Sequence, residues 1–189
     1  MLSKREQLLE ILFRTSFNAN PTPIYRLASG IVSRYYIDCR VAVSYPEARA
    51  LIGELLFERI QDLHADAVGG LALGAYPIAI AVSDAAYTKG ITLRAFVIRK
   101  ESKTHGLRRH IEGEVKGGDR VVIVDDVITT GNSTIDAIQK SRDEDLKVVK
   151  AIALVDRQEA NGKENIEQHQ IDFEALFTLQ DFKALLGEK

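Results

Sequence analysis

The run Val121-Val122-Ile123-Val124-Asp125-Asp126-Val127-Ile128-Thr129-Thr130-Gly131-Asn132-Ser133 constrains this chain more than any other segment. A continuous β-branched apolar stretch predicts a strand buried on both faces, as in a parallel sheet. That strand is read over Arg120 to Val124, with Asp125 and Asp126 where strand gives way to loop. A turn over Thr129 to Ser133 follows, then a helix over Ser133 to Arg142. Such a turn can aim several backbone N–H groups, and the start of a helix, at one anion. Open α/β sheets bind their ligands at this end of a strand. Two carboxylates beside an anion cradle suit a ligand with both hydroxyls and a phosphate, a phosphorylated sugar. The acids alone also suit a solvated turn or a helix N-cap. The run is neither a Walker A loop nor a Gly-x-Gly-x-x-Gly dinucleotide fingerprint.

The remaining pattern alternates strands and helices. Residues 4–17 place Leu8, Leu9, Ile11, Leu12 and Phe13 among charges, a helical pattern. Asn18 to Pro23 is a break. Ile31 to Val43 reads as one or two strands, and the N-terminal helix and strands as a small extra layer. Pro46 opens a helix, where its missing N–H costs nothing; Leu51, Ile52, Leu55, Leu56 and Ile60 form one face. Ala67 to Gly70 is a short strand, Pro77 to Ala86 a small-residue helix, and Ile91 to Ile98 a strand. A long polar segment runs to Asp119. Lys147 to Val155 and Ile171 to Thr178 are further strands, the latter followed by a terminal helix. This order predicts an α/β fold with a mostly parallel central sheet flanked by helices.

Length and charge narrow the functional classes. A chain of 189 residues suits a single domain over residues 1–189. A formal net charge of -2 gives no footprint of a nucleic-acid or membrane-surface partner. Cys39 is the one cysteine, expected as a buried reduced thiol in a cytoplasmic protein. The N-terminus lacks a signal-peptide apolar core, and the apolar run Leu71 to Val82 is too short to span a bilayer.

Val-Ile-Val-Asp-Asp-Val-Ile-Thr-Thr-Gly resembles the phosphoribosyl diphosphate (PRPP) binding motif of type I phosphoribosyltransferases. The resemblance implies that Asp125 and Asp126 bind the ribose hydroxyls. It implies that the main chain from Val127 and Ile128 through Thr129, Thr130, Gly131, Asn132 and Ser133 holds the 5′-phosphate. A second segment, Arg99-Lys100-Glu101-Ser102-Lys103-Thr104-His105-Gly106, is cation-rich in an acidic chain. Bare charge suits a solvated loop, but its length suits a lid, and cations on a lid suit a leaving group gathering negative charge.

Arg-Lys-Glu-x-Lys-x-His-Gly is similar to the catalytic loop of the orotate phosphoribosyltransferase family. By that resemblance Arg99, Lys100, Lys103 and His105 contact PRPP and pyrophosphate. Lys103, His105, Asp125 and Asp126 are then catalytic, with Lys103 and His105 reaching the neighbouring site of a homodimer. Downstream, His110-Ile111-Glu112-Gly113 departs from the family's Arg-Ile-Glu-Gly at His110, and Arg108 stands where Gly is common. Leu27-Ala28-Ser29-Gly30 and Ser33 to Asp38 resemble the hood over the orotate ring, so residues 1–45 would supply the N-terminal helix and hood. Val155-Asp156-Arg157 resembles the Val-Asp-Arg whose Arg binds the orotate carboxylate, matching it bidentately. Thr129 would join Arg157 in orienting orotate. Ala28 and Gly74 stand where many members carry lysine.

The family resemblance implies Mg²⁺ as cofactor, held through the diphosphate and ribose rather than a protein cage; no His/Cys cluster has metal-ligand spacing. The expected activity is transfer of 5-phosphoribosyl from PRPP to orotate. Two other readings stay open: a type I phosphoribosyltransferase for another base, and a non-catalytic PRPP-binding regulator.

Overall fold

A computed structural model describes residues 2–100 and 110–188. The N-terminal part runs α1 (Lys4–Ser16), β1 (Phe17–Ala19), β2 (Tyr25–Arg26), β3 (Val32–Ser33), β4 (Tyr35–Ile37), α2 (Cys39–Ala42) and α3 (Pro46–Ile60). Then come β5 (Ala67–Leu71), α4 (Ala75–Thr88), β6 (Arg94–Ile98), β7 (Ile111–Glu112), β8 (Arg120–Ile128) and α5 (Asn132–Asp143). The chain closes with β9 (Lys147–Asp156), α6 (Gly162–Glu167), β10 (Phe173–Thr178) and α7 (Leu179–Leu185).

The expected mostly parallel sheet is present. Six strands lie in the order β10-β9-β8-β5-β6-β7. Every neighbouring pair is parallel except β6 and β7. The β8 run supplies both faces by its period of two. Val122 and Val124 join a core with Ile52 and Leu56 of α3 and Ile78 and Val82 of α4. Val121 and Ile123 join the opposite core with Ile138 of α5 and Ile166 of α6. A strand segment buried on both faces must be apolar at every position, as Val121 to Val124 of this one are.

The chain leaves β5 toward β6 on one side and leaves β8 toward β9 and β10 on the other. Adjacent strands β5 and β8 therefore straddle the point where the winding reverses. Their carboxyl ends diverge there and leave a crevice.

Several boundaries differ from the sequence expectation. β8 continues through both acids to Ile128, because the β9 ladder continues with Asp125 opposite Ala153 and Ile128 opposite Asp156. The acids are strand residues, not loop residues. The 31–43 stretch holds two short strands and then α2, where the Asp38 carboxylate accepts from the Arg40 N–H and turns the chain into a helix. α4 starts at Ala75, ahead of Pro77, which occupies a first-turn position that needs no N–H. β6 begins at Arg94 rather than Ile91. β7 and the six-residue α6 were not foreseen; neither is long enough to show a period.

α1 is also not a separate layer. Ser3 and Glu6 cap it reciprocally, and its Leu8 and Leu12 are fully buried in the main core. The pairs β1–β4 and β2–β3 are separate two-stranded ribbons beside the sheet. Cys39 is fully buried, and burial pushes its thiol pKa up. No helix among the described residues is long and apolar enough to cross a membrane.

Candidate active site

A cleft of about 940 Å³ opens at the carboxyl ends of β5, β6, β8 and β9, with the β2–β4 region along one side. β8 brings its two acids to the floor on opposite faces of the strand, by the same alternation that divides Val121 from Val122. Asp125 faces α5: its Oδ2 accepts from Thr134 Oγ1 at 2.7 Å and its Oδ1 from the Asp126 N–H at 3.0 Å. Burial, then the charge of Asp126, raises the Asp125 pKa to about 7, against the opposing Thr134 hydrogen bond. Asp126 faces the start of α4. Its carboxylate accepts from the Val127 N–H at 2.9 Å and lies over Gly74.

That contact explains the residue at position 74. A Cβ on Gly74 would stand 2.7 Å from the Asp126 carboxyl carbon and both its oxygens. The preceding Ala72–Leu73 peptide is cis, and the Ala72 N–H donates to Ile98 O across the sheet. The other position without the expected lysine, Ala28, lines the mouth of the cleft.

The Thr129–Ser133 loop surrounds a smaller hollow of about 150 Å³ that also reaches Asp125. Gly131 has φ of +78°, and a Cβ there would meet Gly162 O at 2.8 Å. Glycine is demanded twice, by conformation and by space. No side chain caps α5. The Asn132 N–H donates to Thr130 Oγ1 at 3.4 Å. Those of Ser133 and Thr134 donate to no group among the described residues, at a helix start where the dipole also favours negative charge. Ile128 contributes main chain only; its side chain belongs to the core.

Arg99 and Lys100 line the cleft just beyond β6. Arg99 Nε is 2.9 Å from Glu112 Oε1. Lys103 and His105 lie outside the described residues.

Arg157, at the end of β9, is only 3% exposed. Nε donates to Glu159 Oε2 at 2.9 Å, and Nη2 to Ser33 Oγ and Tyr35 O at 3.1 Å each. The remaining nitrogen, Nη1, donates to no group among the described residues. The guanidinium is thus a buried tie between sheet and ribbons, with one nitrogen left over in a residue that lines the cleft. A simple surface ion pair is not what stands here. Tyr35 is core, whereas Tyr36 lines the cleft and stacks on Tyr25 with centroids 5.6 Å apart.

Sequence reasoning missed Glu159 and Arg40. Arg40 is a cleft cation held by Asp38 at 2.7 Å. The signal available for Arg40 was the Asp-x-Arg spacing after an aromatic strand. Glu159 carried none, since its pairing depends on a loop in which Gln158, Ala160 and Asn161 take positive φ.

The phosphoribosyl transferase domain family matches residues 44–179, which hold the sheet, the acid pair and the Thr129–Ser133 loop. The chain belongs to that family. The orotate phosphoribosyltransferase of Aquifex aeolicus is 39% identical over 181 residues, spanning 96% of this chain and 98% of that one. Among solved structures, Mycobacterium tuberculosis orotate phosphoribosyltransferase bound to Fe(III) dicitrate has a TM-score of 0.82 at 37% identity. It covers 95% of this chain and 99% of its own. The same enzyme bound to PRPP has a TM-score of 0.77 at 33% identity, covering 96% and 93%. The type I phosphoribosyltransferase fold expected from the motif is therefore the observed one.

Proposed function

We infer that this chain is an orotate phosphoribosyltransferase of de novo pyrimidine (UMP) biosynthesis. One observation carries the reading: an uncapped helix start, an acid pair and a nearly buried arginine converge on one cleft. The chain's similarity to orotate phosphoribosyltransferases along its whole length supports it. In the reaction N1 of orotate bonds to C1 of the PRPP ribose. The C1–oxygen bond to the diphosphate breaks, pyrophosphate leaves with the bonding pair, and N1 gives up its proton. The product is orotidine 5′-monophosphate.

The roles follow from the chemistry of each group. Backbone N–H groups of Thr129 to Ser133 hold the 5′-phosphate, and Asp125 and Asp126 accept from the ribose hydroxyls. Arg157 offers Nη1 to the orotate carboxylate, an end-on contact rather than the bidentate one expected from sequence. Thr129 orients the ring beside it. Arg99, Lys100, Lys103 and His105 meet the charge that builds on the departing diphosphate. The transition state has ribosyl-cation character, so catalysis is positioning plus electrostatics.

Mg²⁺ fits this cleft as a ligand of the substrate. Asp125 and Asp126 would present hard carboxylate oxygens to it. Among the described residues no group of three or more His, Cys, Asp or Glu could cage an ion. Bound with PRPP, Mg²⁺ neutralises diphosphate charge.

We place the enzyme in the cytoplasm as a homodimer. Ile80 and Tyr87 of α4 are exposed apolar side chains, Tyr87 80% exposed, while the exposed Leu73 and Tyr76 line the cleft. Exposed apolar side chains on one helix suit a covered face.

Loss of orotate absorbance on adding PRPP and Mg²⁺ tests the activity, with adenine, hypoxanthine and uracil as competing bases. Turnover of orotate alone is expected. Preference for another base would give the chain to a different branch of the family.

A further inference from the structure

We propose that Lys140 is a positioning residue for PRPP. It sets the separation between the phosphate cradle and the Arg99–Lys100 pair. The inference rests on the PRPP reading of the cleft. Lys140 lies on α5, and its side chain is 14% exposed. Its ammonium donates to Arg99 O at 3.1 Å, Lys100 O at 2.8 Å and Asp136 Oδ2 at 2.8 Å. Three acceptors use all three ammonium protons.

Two of those acceptors are main-chain carbonyls about forty residues away in sequence, not the usual helix partner. An i,i+4 pair such as Asp136–Lys140 is worth little by itself. The carbonyls matter because of where they sit. The β5–β6 ladder ends at Leu71 opposite Ile98. The β6–β7 ladder ends at Ile98 opposite Ile111. Beyond it, the Arg99 N–H donates to His110 O at 2.8 Å. Lys140 supplies the hold on the other side. The backbone that presents two cleft-lining cations is thus fastened to α5.

The opposite end of α5 is the anion cradle at Gly131. Asn132 and Lys140 are eight residues apart, about 12 Å along a helix at 1.5 Å per residue. PRPP carries a phosphate at one end of its ribose and a diphosphate at the other. One rigid helix that cradles the first and fastens the cations for the second fixes their spacing before the substrate arrives. Such preorganisation appears in affinity as ordering cost not incurred on binding.

The test is Lys140→Met, which keeps the aliphatic stem and removes the three donors. Titration calorimetry with Mg²⁺ and PRPP should show affinity lowered about ten-fold, the scale of losing charge-assisted hydrogen bonds. Inorganic phosphate, which needs only the cradle, should bind within two-fold of wild type. The KM for PRPP should rise while the KM for orotate holds, and Lys140→Arg should recover most of the loss. If phosphate and PRPP weaken together, the lysine merely supports the helix and the proposal fails. Unchanged PRPP affinity in folded Lys140→Met also overturns it. Should Lys140→Met not fold, Lys140→Gln is read by the same phosphate-against-PRPP comparison. Wild-type protein that binds no PRPP would instead remove the reading of the cleft itself.

Discussion

At Asp125 burial works against ionisation. The carboxyl is enclosed by β8 and α5 with a second acid beside it, and its pKa stands near 7 rather than near 4. An acid whose folded pKa is raised favours the fold below its unfolded pKa, and that contribution is lost as pH rises through the folded value. The ligand-free protein should therefore melt at a lower temperature at pH 8 than at pH 5. Asp125→Asn should flatten that decline while abolishing turnover. Asp156, also raised by burial, leaves a residual slope of the same sign. An unchanged slope in Asp125→Asn would refute the assignment. Position 74 gives a second residue-scale outcome. Gly74→Ala must displace the Asp126 carboxylate, 2.7 Å from the added carbon. We expect kcat/KM to fall ten-fold or more with the melting temperature nearly unchanged. The absence of lysine at 74 is visible in sequence, but the reason for glycine is not. It lies in a contact between the start of one helix and the end of a strand fifty residues on.

Between elements, α3 and α4 approach closely at a glycine. A Cβ at Gly53 would stand 2.2 Å from Ala81 O, which is main chain and has no easy retreat. Gly53→Ala gains about 1 kcal/mol of helix propensity. The clash costs about 3 kcal/mol by the measure of overpacked cores. The net is a loss of about 2 kcal/mol, or roughly 4–8 °C in melting temperature for a chain of this size, read by thermal or urea unfolding. A rise in stability would mean the helices can part without cost. The long elements were legible from sequence because each carries its own period. Of the expected α3 face, Ile52, Leu55, Leu56 and Ile60 are buried and Leu51 only partly; the β8 run is buried as expected. The misplaced ends share a cause. β8 passes Val124 because a ladder continues while its partner strand does, whatever the side chains. α1 joins the main core because Leu8 and Leu12 find α3, a partner that periodicity cannot name.

At the scale of the whole molecule, the proposed homodimer has consequences of its own. In that proposal a twofold partner would cover the exposed Ile80 and Tyr87 of α4. If the cationic loop serves the neighbouring cleft, Lys103→Ala and Asp125→Asn subunits should each be inactive. Their heterodimer should recover one intact site, near half the activity per mole of dimer. No recovery in verified heterodimers would mean that each chain completes its own site. Tyr87→Asp should shift the sedimentation coefficient toward that of a monomer. Sequence by itself determined the mostly parallel sheet and brought the acid pair and the glycine turn to the carboxyl end of one strand, though not the strand's extension through both acids. Burial period, strand-end chemistry and a glycine turn are local properties, written in neighbouring residues. Tertiary structure alone decided the rest. It set Asp126 over Gly74, tied Arg157 to Ser33, Tyr35 and Glu159, and reached Lys140 to the carbonyls of Arg99 and Lys100. These contacts join segments that only the winding of the sheet brings together. Their geometry depends on the order in which strands were laid down on either side of β8.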